Sequence, residues 1–151
     1  MKTQSIVKAF AVAVVAAALT AGFTVAQTQP PAAPYAPQRG QAGKDVMWIP
    51  TPDSLVAKLL DVAKVGKDDT VIDLGSGDGR MVIAAARRGA KAIGIEYNPQ
   101  LVEFSKQLAA KEGVAATFIH GDIFKEDFSQ ATVLTLFLLD ELNLQLRPII
   151  L

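Results

Sequence analysis

The amino-acid sequence predicts an α/β protein built on a doubly wound parallel sheet, with about four strands before the chain ends. Three observations lead there. Short apolar runs rich in β-branched residues recur at positions 70–74, 92–96, 116–120 and 132–139, the composition of strands buried on both faces. The stretches 80–88 and 98–113 between them have helical character, and strand alternating with helix is the pattern of parallel βαβ units. The first run closes on Asp73 and Leu74 and breaks into Gly75-Ser76-Gly77-Asp78-Gly79, with glycine at every second position.

At the N-terminus, Lys2 and Lys8 precede an alanine- and valine-rich run from Ala9 to Leu19, with small residues before Gln27. That is the layout of a secretory signal peptide and implies export to a periplasm or the exterior. Small side chains at Thr24 and Ala26 suit cleavage after Ala26, with Ala21 a second choice. An uncleaved membrane anchor is the alternative, since positions 7–26 approach the roughly 20 apolar residues that span a bilayer. Residues 27–44 are mainly proline, alanine, glutamine and glycine, with one tyrosine. Lacking a periodic apolar face, they read as a disordered tether, and the folded domain is placed at 45–151.

The domain opens at Trp48-Ile49-Pro50. Thr51 is the expected N-cap of a first helix, with Pro52 at its first position and an apolar stripe of Leu55, Leu59, Leu60 and Val62. Trp48 and Ile49 read as a staple between that helix and the sheet, the alternative being a lid across a ligand. In the turn, glycine at 75, 77 and 79 permits tight reversal and close approach of a ligand to the backbone. The spacing differs from the dinucleotide fingerprint G-x-G-x-x-G, and Asp73 sits poorly beside a pyrophosphate. A cationic or hydroxyl-rich ligand suits it better.

Glu96 ends the second run about 20 residues past the turn, where a strand-end carboxylate accepts hydrogen bonds from ribose hydroxyls. Asn98 and Pro99 predict the start of the next helix, which turns Leu101, Val102, Leu108 and Ala109 to the sheet and ends at Gly113. The third run leads into Gly121-Asp122-Ile123, and His120 before it reads as a packed or solvent-edge residue. The fourth run is followed by Asp140 and Glu141. Lysine plus arginine number 15, as do aspartate plus glutamate, so no overall field favours bulk nucleic-acid binding. Cysteine is absent, which excludes disulfides, thiol nucleophiles and zinc–thiolate sites.

The stretch Asp73-Leu74-Gly75-Ser76-Gly77-Asp78-Gly79-Arg80 resembles the first motif of class I S-adenosylmethionine-dependent methyltransferases, which have a Rossmann-like sheet. With Pro50-Thr51-Pro52 upstream and Glu96-Tyr97-Asn98-Pro99 downstream, the chain is most similar to the small family that includes protein-lysine methyltransferases. The resemblance covers Trp48 to the C-terminus. It implies S-adenosylmethionine as cofactor and a protein lysine as acceptor. Asp73 with Gly75, Ser76, Gly77 and Gly79 would then hold the methionine portion, Glu96 the ribose with Tyr97 beside it, and Asp122 and Ile123 the adenine. Asp140 or Glu141 would orient the acceptor amine and take its proton, although acids favoured by a helix dipole look the same in sequence. No Asn-Pro-Pro-Tyr or Asp-Pro-Pro-Tyr follows the fourth run, unlike the enzymes that methylate amino groups of nucleic-acid bases.

Members of that class usually continue into three more strands, so the substrate half is expected to be mostly missing here. The fourth strand would keep an open apolar edge that invites self-association. A second reading is a non-catalytic, exported nucleoside-binding or interaction domain derived from a truncated methyltransferase. A third, a nicotinamide-dependent oxidoreductase, shares the ribose acid but fails on the glycine spacing.

Overall fold

The computed structural model describes residues 33–151. The signal-peptide and anchor readings of residues 1–26, and the first part of the tether, lie outside the described residues. In chain order the elements are α1 (Asp53–Val62), β1 (Thr70–Leu74), α2 (Arg80–Arg87), β2 (Lys91–Glu96), α3 (Pro99–Lys111), β3 (Thr117–His120), β4 (Val133–Leu136) and α4 (Asp140–Ile150). The four strands form one sheet in the order β3-β2-β1-β4, and every pairing is parallel.

Alternation along the strands divides the core in two. Val71, Ala92 and Phe118 pack with Leu60, Val82 and Val102 on the side of the first three helices. Ile72, Leu74, Ile93 and Ile95 meet Phe128 and Leu146 on the side of α4. Side chains at successive strand positions point to opposite faces, so a continuous apolar run supplies both layers. The chain winds outward from β1 through β2 to β3, then returns to place β4 on the other flank of β1. Such a reversal opens a crevice at the carboxyl ends of the strands.

The helix ends follow local chemistry, with one correction. Asn98 caps α3 by accepting from the amides of Gln100 at 2.9 Å and Leu101 at 3.4 Å, with Pro99 in the first turn. Thr51 does not cap α1. Pro52 occupies the N-cap position and no side chain bonds there, because extended Pro52 starts the helix one residue later. Val56 and Leu60, one turn apart, are buried, while Val62, about 200° of helix beyond Leu60, is 69% exposed.

Two further expectations change. β4 covers only Val133–Leu136, and Phe137, Leu138 and Leu139 peel away from the sheet before α4. Among the described strands it pairs with β1 alone. The segment read as a featureless tether as far as Lys44 is structured in its last part: Gly40 N donates to Trp48 O at 2.8 Å and Trp48 N to Gln41 O at 2.9 Å, closing a strap. Backbone pairing of that kind is indifferent to composition, so a Gly- and Gln-rich stretch hides it. Among the described residues, no helix is long and apolar enough to cross a membrane.

The phase of α1 is testable by substitution. Leu60→Ala is expected to lower unfolding free energy by about 2–5 kcal/mol, whereas Val62→Ala stays within about 0.5 kcal/mol, both measured by urea denaturation.

Candidate functional site

The site begins with the turn after β1. The amides of Gly75 and Ser76 both donate to the Ile95 carbonyl, at 2.9 and 3.0 Å, and Gly79 N closes the turn on Ser76 O at 2.8 Å. Gly77 N donates to Glu96 Oε2 at 2.9 Å. The turn is thus stitched to the end of the neighbouring strand. From below, the fully buried Ser105 on α3 brings its hydroxyl 3.1 Å from Gly77 O and 2.8 Å from Leu101 O. A hydroxyl has one proton, so this donor is shared between turn and helix.

The glycines at 75, 77 and 79 have φ of +80°, +54° and +79°, which side-chain-bearing residues rarely adopt. Their surroundings differ. A Cβ on Gly77 would collide with the Trp48 indole. On Gly79 it would lie 2.6 Å from Phe118 Cε1 and 2.8 Å from Ser105 Cβ, so this glycine serves packing beneath the turn and does not line the cleft. Ser76 is buried, and its Oγ presses on Gly94 with no hydrogen-bond partner among the described residues. Of the three glycines only Gly75 is exposed.

Three carboxylates from successive strands line the same cleft: Asp73, Glu96 and Asp122. Asp73 is 6% exposed and accepts from Thr135 Oγ1 on β4 at 2.6 Å. Burial pushes its pKa up to about 7; the Thr135 bond opposes the rise, while Glu96 and Asp78 add to it. Glu96 is held from both sides, its Oε1 accepting from Asn98 N at 2.9 Å and its Oε2 from Gly77. Asp122 accepts from Phe124 N at 3.1 Å. That amide, and then Lys44, hold its carboxyl below the usual carboxylate range. Tyr97 stands half exposed at the rim, its ring edge-on to exposed His120 with centroids 6.2 Å apart.

The cleft is open to solvent, with about 960 Å³ of space between its walls when the solvent at its mouth is included. Its far wall is Phe137, Leu138 and Leu142, and its roof is the strap bearing Lys44, Trp48 and Ile49. The favoured staple reading of Trp48 gives way to the lid position. Ile123 lines the cleft as expected, but Asp140 and Glu141 do not. They sit exposed in the first turn of α4, where the helix dipole favours acids. Sequence reasoning missed Ser105, Thr135 and Arg80 as supports. A serine four residues after Leu101, on the buried stripe of α3, was the available signal for the first.

Among the described residues, five acids line the cleft, Asp45, Asp73, Asp78, Glu96 and Asp122, against the two cations Lys44 and Arg80. The Arg80 guanidinium is already committed to Asp78, at 2.6 Å, and to the Thr51 carbonyl, at 2.9 Å. Acceptors therefore dominate, and the site suits a ligand that offers hydroxyls, amines and positive charge. A pyrophosphate would meet repulsion.

Residues 73–151 match the family model described as the ANTKMT methyltransferase domain. The chain belongs to this family. It is 42% identical over 107 residues to a protein-lysine N-methyltransferase of Saccharolobus islandicus, covering 68% of this chain and 66% of the relative. It is 46% identical over 80 residues to a human lysine N-methyltransferase named for its ATP synthase substrate, covering 52% of this chain and 34% of that protein. Among solved structures, an RNA methyltransferase from Salinibacter ruber in complex with S-adenosyl-L-homocysteine superposes with a TM-score of 0.67 at 48% identity, covering 68% of this chain and 69% of that one. The chain spans from about a third to two thirds of the length of these curated relatives. The family's fold is the parallel α/β sheet read from the sequence, with the glycine turn at the start of the matched region.

Asp73 gives a pH signature. Its folded pKa lies above its ordinary value of 3.8, so folding favours the protonated form. Its contribution to stability is complete below about pH 4 and is lost as pH rises toward 7. Denaturation of the wild type and of Asp73→Asn, compared between pH 4 and 7, is expected to show the variant gaining relative stability as pH rises.

Proposed function

We propose that the protein binds S-adenosylmethionine in this cleft and transfers its methyl group to a protein lysine. The observation that carries this reading is the convergence of Asp73, Glu96 and Asp122 on one cleft above a backbone turn. Each finds a counterpart in that cofactor. Asp73 faces a site for the ammonium of the methionine portion, and a neighbouring cation favours its ionised form. Glu96 keeps free lone pairs on both oxygens after binding Gly77 and Asn98, enough to accept from two ribose hydroxyls. Asp122 and the Ile123 amide suit the amine and a ring nitrogen of adenine, with Tyr97 as the stacking face. The presence of S-adenosyl-L-homocysteine in the Salinibacter ruber structure, and in a Geobacter sulfurreducens methyltransferase of 32% identity and TM-score 0.51, supports the assignment.

The sulfonium of the cofactor supplies an electrophilic methyl group. The protein's work is then alignment of donor and acceptor and exclusion of water. Phe137 and Leu138 present an apolar wall where β4 ends, and Ile49 closes the roof opposite. An acceptor lysine has to react as the free amine, so a base must take its proton. Asp140 or Glu141, in the turn beyond that wall, is the proposed proton acceptor. The names of the Saccharolobus and human relatives favour lysine. The Salinibacter relative's name carries RNA, but a chain with balanced charge has no general means of holding a polyphosphate backbone. The non-catalytic reading keeps the pocket and drops the transfer.

Isothermal titration of the full chain with S-adenosylhomocysteine is expected to show saturable binding, weakened roughly tenfold or more in Glu96→Ala, with circular dichroism confirming the fold. Absence of binding by folded wild type overturns the cofactor assignment. Paired Asp140→Asn and Glu141→Gln substitutions are expected to leave binding within about twofold and to lower methyl transfer to lysine by roughly 10²-fold. Binding without transfer to protein or RNA returns the weight to the non-catalytic reading.

A further inference from the structure

The strap that roofs the cleft carries a cation to its adenine end. Lys44 Nζ lies 3.1 Å from Asp122 Oδ2, 5.1 Å from the centroid of the Tyr97 ring and 6.0 Å from that of Phe124. On the proposed function, on which this inference rests, Asp122 and Tyr97 receive the amine and the face of adenine. An ammonium that bonds that carboxylate and stands over that ring competes with the base for the Tyr97 face and for Asp122 Oδ2.

We propose that the strap is a lid and Lys44 its latch, an intramolecular stand-in for the cofactor's base that has to be displaced by the ligand. The strap is a loop whose neck is held and whose tip is not. Its neck is closed by the Gly40–Trp48 and Gln41–Trp48 backbone bonds, and the chain before it is seated on α3, where Tyr35 meets Phe104 edge-on and accepts from Gln41 Nε2 at 2.7 Å. Beyond Trp48, the chain is fastened to the glycine turn by Arg80, whose guanidinium bonds the Thr51 carbonyl at 2.9 Å and the buried Asp78 at 2.6 Å. At the tip the Lys44 side chain is 35% exposed, and exposed ion pairs are weak and weakened further by salt. Asp45 waits 3.4 Å from the same ammonium, so Lys44 keeps a carboxylate partner when it leaves Asp122. Trp48 lies at the neck of the loop with its indole over Gly77. Movement of the strap therefore changes the surroundings of the chain's single tryptophan.

The test uses the full chain with Lys44→Met, which keeps the aliphatic stem and removes the charge. Lys125→Met is the control. Lys125 lies 3.7 Å from Asp122, but among the described residues it is Lys44 that stands over the Tyr97 ring. Without ligand, Lys44→Met is expected to shift Trp48 emission to the red as the strap loosens. S-adenosylhomocysteine is expected to bind this variant roughly two- to fivefold more tightly than the wild type at low salt, with the difference shrinking in high salt. Unchanged or weaker binding by Lys44→Met overturns the latch. An equal gain in Lys125→Met also overturns it, since the effect is then one of net charge at Asp122. If neither wild type nor Lys44→Met binds the ligand, the cofactor reading fails, while unchanged Trp48 emission in Lys44→Met would separately deny the latch.

Discussion

Reversal of the chain immediately after the central strand is the constraint on which the site depends. Between Leu74 and Arg80 the backbone leaves β1, passes over the end of the sheet and enters α2, with the three glycines in left-handed conformations. The amides of Gly75 and Ser76 bond the Ile95 carbonyl, and Gly77 bonds Glu96. The turn and the second strand consequently fix each other. Glu96 is a support for the turn as well as a ligand candidate, and the two roles share one carboxylate because each oxygen accepts more than one hydrogen bond.

Parallel strands in register deliver their carboxyl ends to one level, so strand-end acids accumulate there. Asp73, Glu96 and Asp122 reach the cleft for this reason, and the most buried of them, Asp73, is costly to ionise first because of its burial and then because of the charges of Glu96 and Asp78. Each is handled differently: Asp73 by Thr135 and by elevation of its pKa to about 7, Glu96 by two backbone amides, Asp122 by an amide and Lys44. The unsatisfied negative potential that remains is a preference for a cationic, donor-rich ligand, built in before any ligand arrives.

The strap adds what the sheet lacks, a roof. Part of it comes from a stretch whose composition suggests only a tether. Its neck is fixed by backbone bonds between Gly40, Gln41 and Trp48, by Tyr35 against Phe104, and by Arg80 beyond, while Lys44 acts from the rim. A fixed neck and a weakly held tip allow the tip to swing without leaving.

Much of this was legible in the chain because strands and turns are local. The runs at β1 and β2, the capping Asn98, the glycine turn and the acid Glu96 follow from residue type and spacing, while Asp122 was singled out through the family resemblance. The differences are of two kinds. At α1, Thr51 lost its capping role to the extended Pro52, and Val62 fell on the solvent side because it lies two positions, about 200° of helix, beyond the buried Leu60. Where partners are distant in sequence, Gly79 packs on Phe118 and Ser105, and Leu138 and Leu142 turn into the cleft where Asp140 and Glu141 do not. The sequence by itself determined the alternation of elements and the acidic strand ends, since periodicity and turn chemistry act over a few residues. Only the tertiary structure decided which groups meet, Thr135 with Asp73, Ser105 with Gly77 and Lys44 with Asp122, because those pairs are 62, 28 and 78 residues apart and are joined solely by the order of strands and the closure of the strap.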